Sequence, residues 1–485
     1  MTGHIKHTIQ QAITFKVLPR FRLPADFGSR LPRRVFTSTY FDTPERRLSQ
    51  FGITLCRRVE HSKGTWHIQI PKGRAYLELE IPSSSYRPPQ EFQHLFWAFF
   101  RKQDLILLGK LRTERTGQRV QSHEKKIADV TQDVIALLES RHVVRRFIKL
   151  EVELLEGKKV ELNQIRKILR HAGADDIPFR PKIFEALDLP SPLFPISVDS
   201  SAPTEEHLRT MLQNHVWQMM IHDPGTRLGQ DPEDLHQMRV ATRRVRALIR
   251  AGRPLLDPDW AKTIRQDMKW VGRLLGGVRD FDVLLDHLQQ AASSLSTSEQ
   301  GTFQPVLQKI QTQRSMARTE LLNGLRSDRY LLLLERLENS LTNLPSRQSS
   351  VTLPGLARKD YNRLKTLVNQ MDRTHMETHL HDVRIHMKRV RYTAELAGPV
   401  LGKSVTRFLK QAKHLQDLLG SHQDAVIAET RLTELLRASR SARMAFVSGL
   451  IVARLRKQRS MVLDAFPGQW KKLEKRAKGL GKVTV

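Results

Sequence analysis

Leu235–Ala247 reads LHQMRVATRRVRA, and Leu380–Tyr392 reads LHDVRIHMKRVRY. The stretches align residue for residue: His236 with His381, Arg239 with Arg384, Arg243 with Lys388, Arg244 with Arg389, and Arg246 with Arg391. A second pair follows in the same order, MKWVGRLLGGVRD (Met268–Asp280) and AKHLQDLLGSHQD (Ala412–Asp424). It aligns Lys269 with Lys413, Leu275 with Leu419, Gly276 with Gly420, and Asp280 with Asp424, at an offset one residue shorter. Two blocks in one order mark an internal repeat. From about Glu205 onward apolar positions recur at three and four, as in Leu208, Met211 and Leu212, so this part is all-helical and divides into two related bundles that face each other.

Within the first block, positions 236, 239, 243, 246 and 250 step by three and four, and at about 100° per residue they share one helix face. His236, Arg239, Arg243, Arg246 and Arg250 therefore form a cationic stripe. Lys262, Arg265, Lys269 and Arg273 repeat the spacing on the following helix, and the two stripes can lie side by side as a groove. Like charges one turn apart cost a helix roughly 0.2–0.5 kcal/mol per pair. A single such run is ordinarily a solvated face, but its duplication favours a ligand-binding one. Guanidinium groups grip phosphate oxygens bidentately and ammonium groups add point charge, so the rows suit a chain of phosphates. The binding set is His236, Arg239, Arg243, Arg244, Arg246, Arg250, Lys262, Arg265, Lys269, Arg273, His381, Arg384, Lys388, Arg389, Arg391 and Lys413. His236 and His381 fit equally as capping or core residues; if they face phosphate, binding tightens as pH falls through about 6–7. Asp280 and Asp424, each after Leu-Leu-Gly, read as helix-end or loop-ordering groups rather than metal ligands.

Lys and Arg number 81 against 50 Asp and Glu, a net charge of +31, so the expected partner is a polyanion. A chain of 485 residues has room for about two to four domains. With 39% hydrophobic and 27% charged residues it fits neither a disordered nor a membrane composition, and no run approaches the roughly 20 apolar residues that span a bilayer. The start MTGHIKHTIQ lacks an apolar signal core, and the single cysteine, Cys56, forms no internal disulfide. The expected setting is the cytoplasm, with no membrane partner. Aromatic residues make up only 6%, and no stacking ladder or zinc spacing accompanies the stripes, which places nucleic acid behind other polyanions. Nothing in the sequence specifies an oligomeric state.

Pro190–Pro203 (PSPLFPISVDSSAP) and Leu344–Pro354 (LPSRQSSVTLP) read as linkers. Ahead of them the period changes to two. Trp66, Ile68 and Ile70 alternate with His67 and Gln69; Leu77, Leu79 and Ile81 with Glu78 and Glu80; Ile148, Leu150, Val152 and Leu154 with Lys149, Glu151 and Glu153. Each is a strand with one apolar and one ionisable face. The ionisable face is either the solvated side of an antiparallel sheet or the lining of a polar-lumen barrel, and periodicity fits both.

The paired His-x-x-Arg-x-x-x-Arg/Lys-Arg-x-Arg blocks resemble the CHAD family, the conserved-histidine α-helical domain. That resemblance implies two four-helix bundles around a basic cleft that binds inorganic polyphosphate, often at polyphosphate granules. The N-terminal part resembles a CYTH domain, the triphosphate-tunnel barrel, through TSTYFDTPERRLSQFGITLCRR (37–58), WHIQIP (66–71), RTER (112–115), LEVEL (150–154) and Pro181-Lys182. The expected fold is thus α+β: an antiparallel β-barrel over 1–189, a linker over 190–204, and a helical domain over 205–485 with repeats at about 205–343 and 355–485. CYTH domains hydrolyse triphosphate with a carboxylate-held divalent metal, here Mg²⁺ or Mn²⁺ if the domain is active. The pattern is broken at that chemistry. Glu-x-Glu-x-Lys becomes Ala12-x-Thr14-x-Lys16, Leu-Arg-x-Arg becomes Leu55-Cys56-Arg57-Arg58, and Gln69 takes a lysine position. Lys16, Arg58, Arg112, Arg115 and Lys182 are left as tunnel phosphate ligands, and Glu78, Glu151 and Glu153 as metal ligands, with Glu78-x-Glu80 able to substitute in space. Losing two of about four or five carboxylates sharply lowers metal affinity. The leading expectation is a polyphosphate-binding protein with a catalytically impaired tunnel; a metal-dependent triphosphatase is the alternative and nucleic-acid binding the third reading.

Overall fold

The computed structural model describes residues 6–481 except 19, 25–26, 73–74, 123–124, 191–194, 372–375 and 438–440, so the expected linker at 190–204 lies partly outside the described residues. Contacts divide the chain into Met1–Leu193 and Phe194–Val485.

The first unit is built on antiparallel strands: β1 Lys6–Lys16, β2 Ser29–Arg30, β3 Arg34–Asp42, β4 Thr54–Glu60, β5 Lys63–Lys72, β6 Ala75–Pro82, β7 Ile106–Ser122, β8 Lys125–Glu139, β9 His142–Leu154 and β10 Asp175–Ile177. Short helices α1 Arg47–Gln50, α2 Gln90–Leu95, α3 Trp97–Phe100 and α5 Lys182–Ala186, with the longer α4 Lys159–His171, sit among them. The sheet order is β10-β1-β6-β5-β4-β3-β7-β8-β9, and β1 also pairs with β9 through Ala12–Lys16, so the two ends of the order meet on β1. The expected tunnel-like architecture is present.

Its alternation is explained by two buried faces. Outward, Trp66 and Ile68 are fully buried, and the Trp66 ring lies 5.3 Å from Phe41. On another side, Phe15, Val130, Leu150 and Val152 pack with Ile165 and Leu169 of α4. Inward, the ionisable residues face a lumen. Leu111, Ile135 and Leu137 continue that inward face and pack with Ile183 and Phe184 of α5, which gives one end a hydrophobic floor.

The second unit is helical: α6 Thr204–Ile221, α7 Asp223–Leu228, α8 Pro232–Ala251, α9 Pro258–Ala292, α10 Thr297–Arg326, α11 Asp328–Thr342, α12 Leu353–Asn369, α13 Met376–Leu396, α14 Gly398–Leu401, α15 Lys403–Leu436 and α16 Ala442–Ala477. Asp231 and Asp257 start α8 and α9 by accepting from the backbone N–H of Glu233 and Trp260, each with proline in the first turn. Neighbour packing repeats: α6–α8, α8–α9 and α9–α10 in the first half correspond to α12–α13, α13–α15 and α15–α16 in the second. Equivalent helices also meet each other, α8 on α13, α9 on α15 and α10 on α16. At their far ends the long helices of both repeats share one core, with Leu288, Phe303 and Ile310 against Ala425, Leu432 and Ile451. None of the described helices is long and apolar enough to cross a membrane.

Candidate functional site

The apolar face of α8 (Met238, Ala241, Val245, Leu248) is buried, as is that of α13 (Val383, Met387, Val390, Ala394). The contact between α8 and α13 then sets their half-buried cations against one another. Arg384 and Lys388 of α13 both lie within the electrostatic reach of Arg239 and Arg243 of α8. Burial first, then the charges of Arg384, Arg243 and Arg239, push the Lys388 ammonium down to about 7. Arg239 donates to Asp280 at 2.9 Å, and Asp424 raises both Arg384 and Lys388. Four cations are thus held by two carboxylates. The buried Nε–H groups of Arg243 and Arg384 have no hydrogen-bond partner among the described residues. Leaving a buried donor on a charged group unsatisfied costs more than the roughly 1–3 kcal/mol of a neutral one, so this is a site short of acceptors.

The stripe extends in one direction. Arg265 lowers Arg246 and Arg250 electrostatically, and Arg389 lowers Arg250, with burial the larger cause for both. Arg246 and Arg239 lie against α9 at Gly272 and Gly276, where a Cβ would stand at ordinary contact distance, 3.4 Å from Arg246 Nη1 and 3.7 Å from Arg239 Nε. Lys262, Arg265, Lys269, Arg273 and Lys413 are exposed along α9 and α15. His236 sits half-buried beside Arg279, Arg243 and Arg239; burial first, then Arg279, lowers its imidazole. His381 is exposed and bonds Gln423 Oε1 through Nδ1 at 2.8 Å.

Not every expected ligand joins this group. Arg244 and Arg391 converge on Glu395, at 3.6 and 3.1 Å, and Arg391 is buried. Arg244 thereby ties α8 to α13, while Arg391 pairs with Glu395 one turn along its own helix; the three-four spacing places Arg244 on another face than Arg243. Arg389, which stays beside Arg250, also contacts His386 at 3.2 Å. Asp280 and Asp424, read from sequence as helix-end groups, belong to the cation cluster, and Arg279 was missed; its signal was its place beside Asp280 in the repeated block.

In the first unit, a cavity of about 70 Å³ is lined by Arg58, Arg115, Lys182, Glu78, Glu151 and Glu153 together with His67, Gln69, Tyr76, Phe36 and Ala12. Lys16 and Arg112 lie outside it and are exposed. Arg112 and Arg115 are three apart on β7, and in a strand such residues point to opposite faces, so only Arg115 enters. The doubled arginine at 57–58 resolves the same way. Arg57 turns outward to the carbonyls of Ser84 and Ser85, while Arg58 turns inward over the Phe36 ring, 4.7 Å from its centroid.

The lining is neutralised internally. Asp133, fully buried and not foreseen, accepts both arms of Arg115 at 2.8 Å and also pairs with Lys182. Burial alone raises its carboxyl, but Lys182 and Arg115 hold it well below the usual range. Glu151 lies 3.4 Å from Lys149, 3.4 Å from Lys182 and 3.8 Å from Arg115. Burial, then Glu78, pushes Glu153 up to about 7. Of the expected ligands Glu78, Glu151 and Glu153, Glu151 is committed to cations, and the donors that converge among the described residues are Glu78 with His67 and Glu80.

Residues 210–433 match the family model of the CHAD domain. Two Mycobacterium tuberculosis sequences, the uncharacterized proteins MT2285 and Rv2226, are each 25% identical over 443 residues, covering 85% of this chain and 84% of theirs. The CHAD domain of the plant Ricinus communis is 26% identical with a TM-score of 0.42, over 59% of this chain and 95% of that one. The PH1819 protein of Pyrococcus horikoshii is 15% identical with a TM-score of 0.25, over 36% of this chain and 98% of its own.

Proposed function

We propose that this chain, whose helical unit matches the CHAD family model over residues 210–433, binds inorganic polyphosphate in a cationic cleft between α8 and α13. The carrying observation is the meeting of Arg239, Arg243, Arg384 and Lys388 from equivalent positions of the two repeats, with the buried Nε–H groups of Arg243 and Arg384 lacking an acceptor among the described residues. A phosphate chain brings closely spaced acceptor oxygens and negative charge to both rows at once. Arg246, Arg250, Arg265 and Arg389 extend the track beyond the central four. The first unit serves as a scaffold or a weak phosphate holder, because Arg115, Lys182 and Glu151 are already engaged with one another.

Titration of the full chain with long-chain polyphosphate tests this. If four phosphates are neutralised, the slope of log K against log salt is roughly −3, so a fourfold rise in salt weakens binding about fifty-fold. Replacing Arg243 and Arg384 with alanine reduces the slope to roughly −1.4 and the same salt step to about sevenfold. An unchanged slope and affinity in that variant overturns the reading, as does RNA displacing polyphosphate at equal phosphate concentration.

A further inference from the structure

We infer that His67, Glu78 and Glu80 form a binding site for one divalent first-row transition ion, assembled from β5 and β6 in place of the carboxylates missing from β1. The inference stands independently of the cleft. In register His67 lies directly opposite Glu80 and next to the Gln69–Glu78 pair, and Glu78 and Glu80, two apart on β6, share its inward face. His67 Nδ1 is 3.2 Å from Glu78 Oε1 and 3.3 Å from Glu80 Oε1, and one ligand atom from each residue falls within 4.8 Å of the others. Bonds of about 2.0–2.1 Å at tetrahedral angles separate ligand atoms by about 3.3 Å, so the imidazole nitrogen already stands at that spacing from each carboxylate, and the two carboxylate oxygens lie within 4.8 Å of each other.

The charge balance points the same way. The side chains of His67 and Glu78 are 5% and 8% exposed, and that of Glu80 28%. A single Nδ1–H has to serve two carboxylates, and the ion pair to Glu80 from Lys6 is loose at 3.7 Å. Arg58 adds its field from the lumen. A dication in place of that proton satisfies all three donors. Imidazole with carboxylates suits zinc, iron or manganese and disfavours magnesium, which prefers an all-oxygen octahedral shell. Cys56 lies opposite His67 on β4, but its thiol is outside the converging group, so the ligand set is nitrogen and oxygen.

Isothermal titration of the full chain with ZnCl₂ and with MgCl₂ tests the site, using Glu80→Gln and His67→Gln. Glu80 is partly exposed, so its amide variant preserves the barrel. Expected are one Zn²⁺ per chain, at least tenfold weaker binding in each variant, and Mg²⁺ at least a hundredfold weaker than Zn²⁺. Zn²⁺ also raises the thermal midpoint of the native chain, and this reading holds even if His67→Gln folds poorly. Saturable Zn²⁺ binding that survives Glu80→Gln undiminished locates the ion elsewhere and overturns the inference, as does the absence of any Zn²⁺-induced shift in the native chain.

Discussion

Lys388 offers the sharpest test of the cleft, because its ammonium is pushed down to about 7 by burial and by Arg384, Arg243 and Arg239. A polyanion seated there replaces cation neighbours with anionic ones and returns the group toward its ordinary 10.5. Binding then takes up a proton whenever free Lys388 is neutral. Below pH 7 Lys388 is charged in both states and contributes no pH dependence; above it, the free protein must first be protonated. The dissociation constant scales with the factor one plus ten to the power pH minus 7. It rises about thirtyfold between pH 6 and pH 8.5, or about 2 kcal/mol, with proton uptake of about 0.1 per binding event at pH 6 and about 0.9 at pH 8. Calorimetry in buffers of different ionisation enthalpy measures both quantities. Lys388→Arg gives tight binding with a flat profile across this window, and Lys388→Met weak binding with a flat one. His236, lowered by burial and Arg279, is the other titratable group beside the site, and His236→Gln separates its share. A dissociation constant that changes less than threefold from pH 6 to 8.5, without proton uptake, refutes the placement of Lys388 in the site.

The same residue destabilises the free protein. A lysine lowered on folding imposes its full penalty below about pH 7 and loses it as pH rises toward 10.5, so Lys388→Met raises stability at pH 6 by about 1–2 kcal/mol after allowance for solvent screening. Chemical denaturation at pH 6 and pH 10 shows the gain at the first and not at the second. Asp280→Asn releases Arg239 from its 2.9 Å bond and tightens polyphosphate binding about two- to fivefold, readable in the same titration. In the barrel, Asp133→Asn leaves Arg115 and Lys182 buried without their shared anion and costs about 3–5 kcal/mol, measured by denaturant unfolding.

The α8–α13 contact and the lumen of the first unit treat charge in opposite ways. In the barrel, anions and cations from neighbouring strands cancel within a lumen left with about 70 Å³ of space. Where α8 meets α13, cations outnumber anions because both repeats contribute the same sign. Buried like charges are costly, and a ligand of opposite charge relieves that cost on arrival.

Period and repetition settled much in advance. The three-four spacing of His236 to Arg250, copied at His381 to Arg391, fixed both helices and their cationic faces, because helical geometry is local. Period two likewise set which residues of WHIQIP share a face, though not that this face lines a lumen, and strict use of that period separates Arg115 from Arg112. Pairing across elements was another matter. That Arg244 spends its charge on Glu395, that Asp280 and Asp424 join the cation cluster, and that His67 stands 3.2–3.3 Å from two carboxylates are matters of helix packing and strand register. Those contacts join residues remote along the chain or on different strands. Their free energies depend on distance and burial, which no single stretch of sequence contains and which only the folded chain supplies.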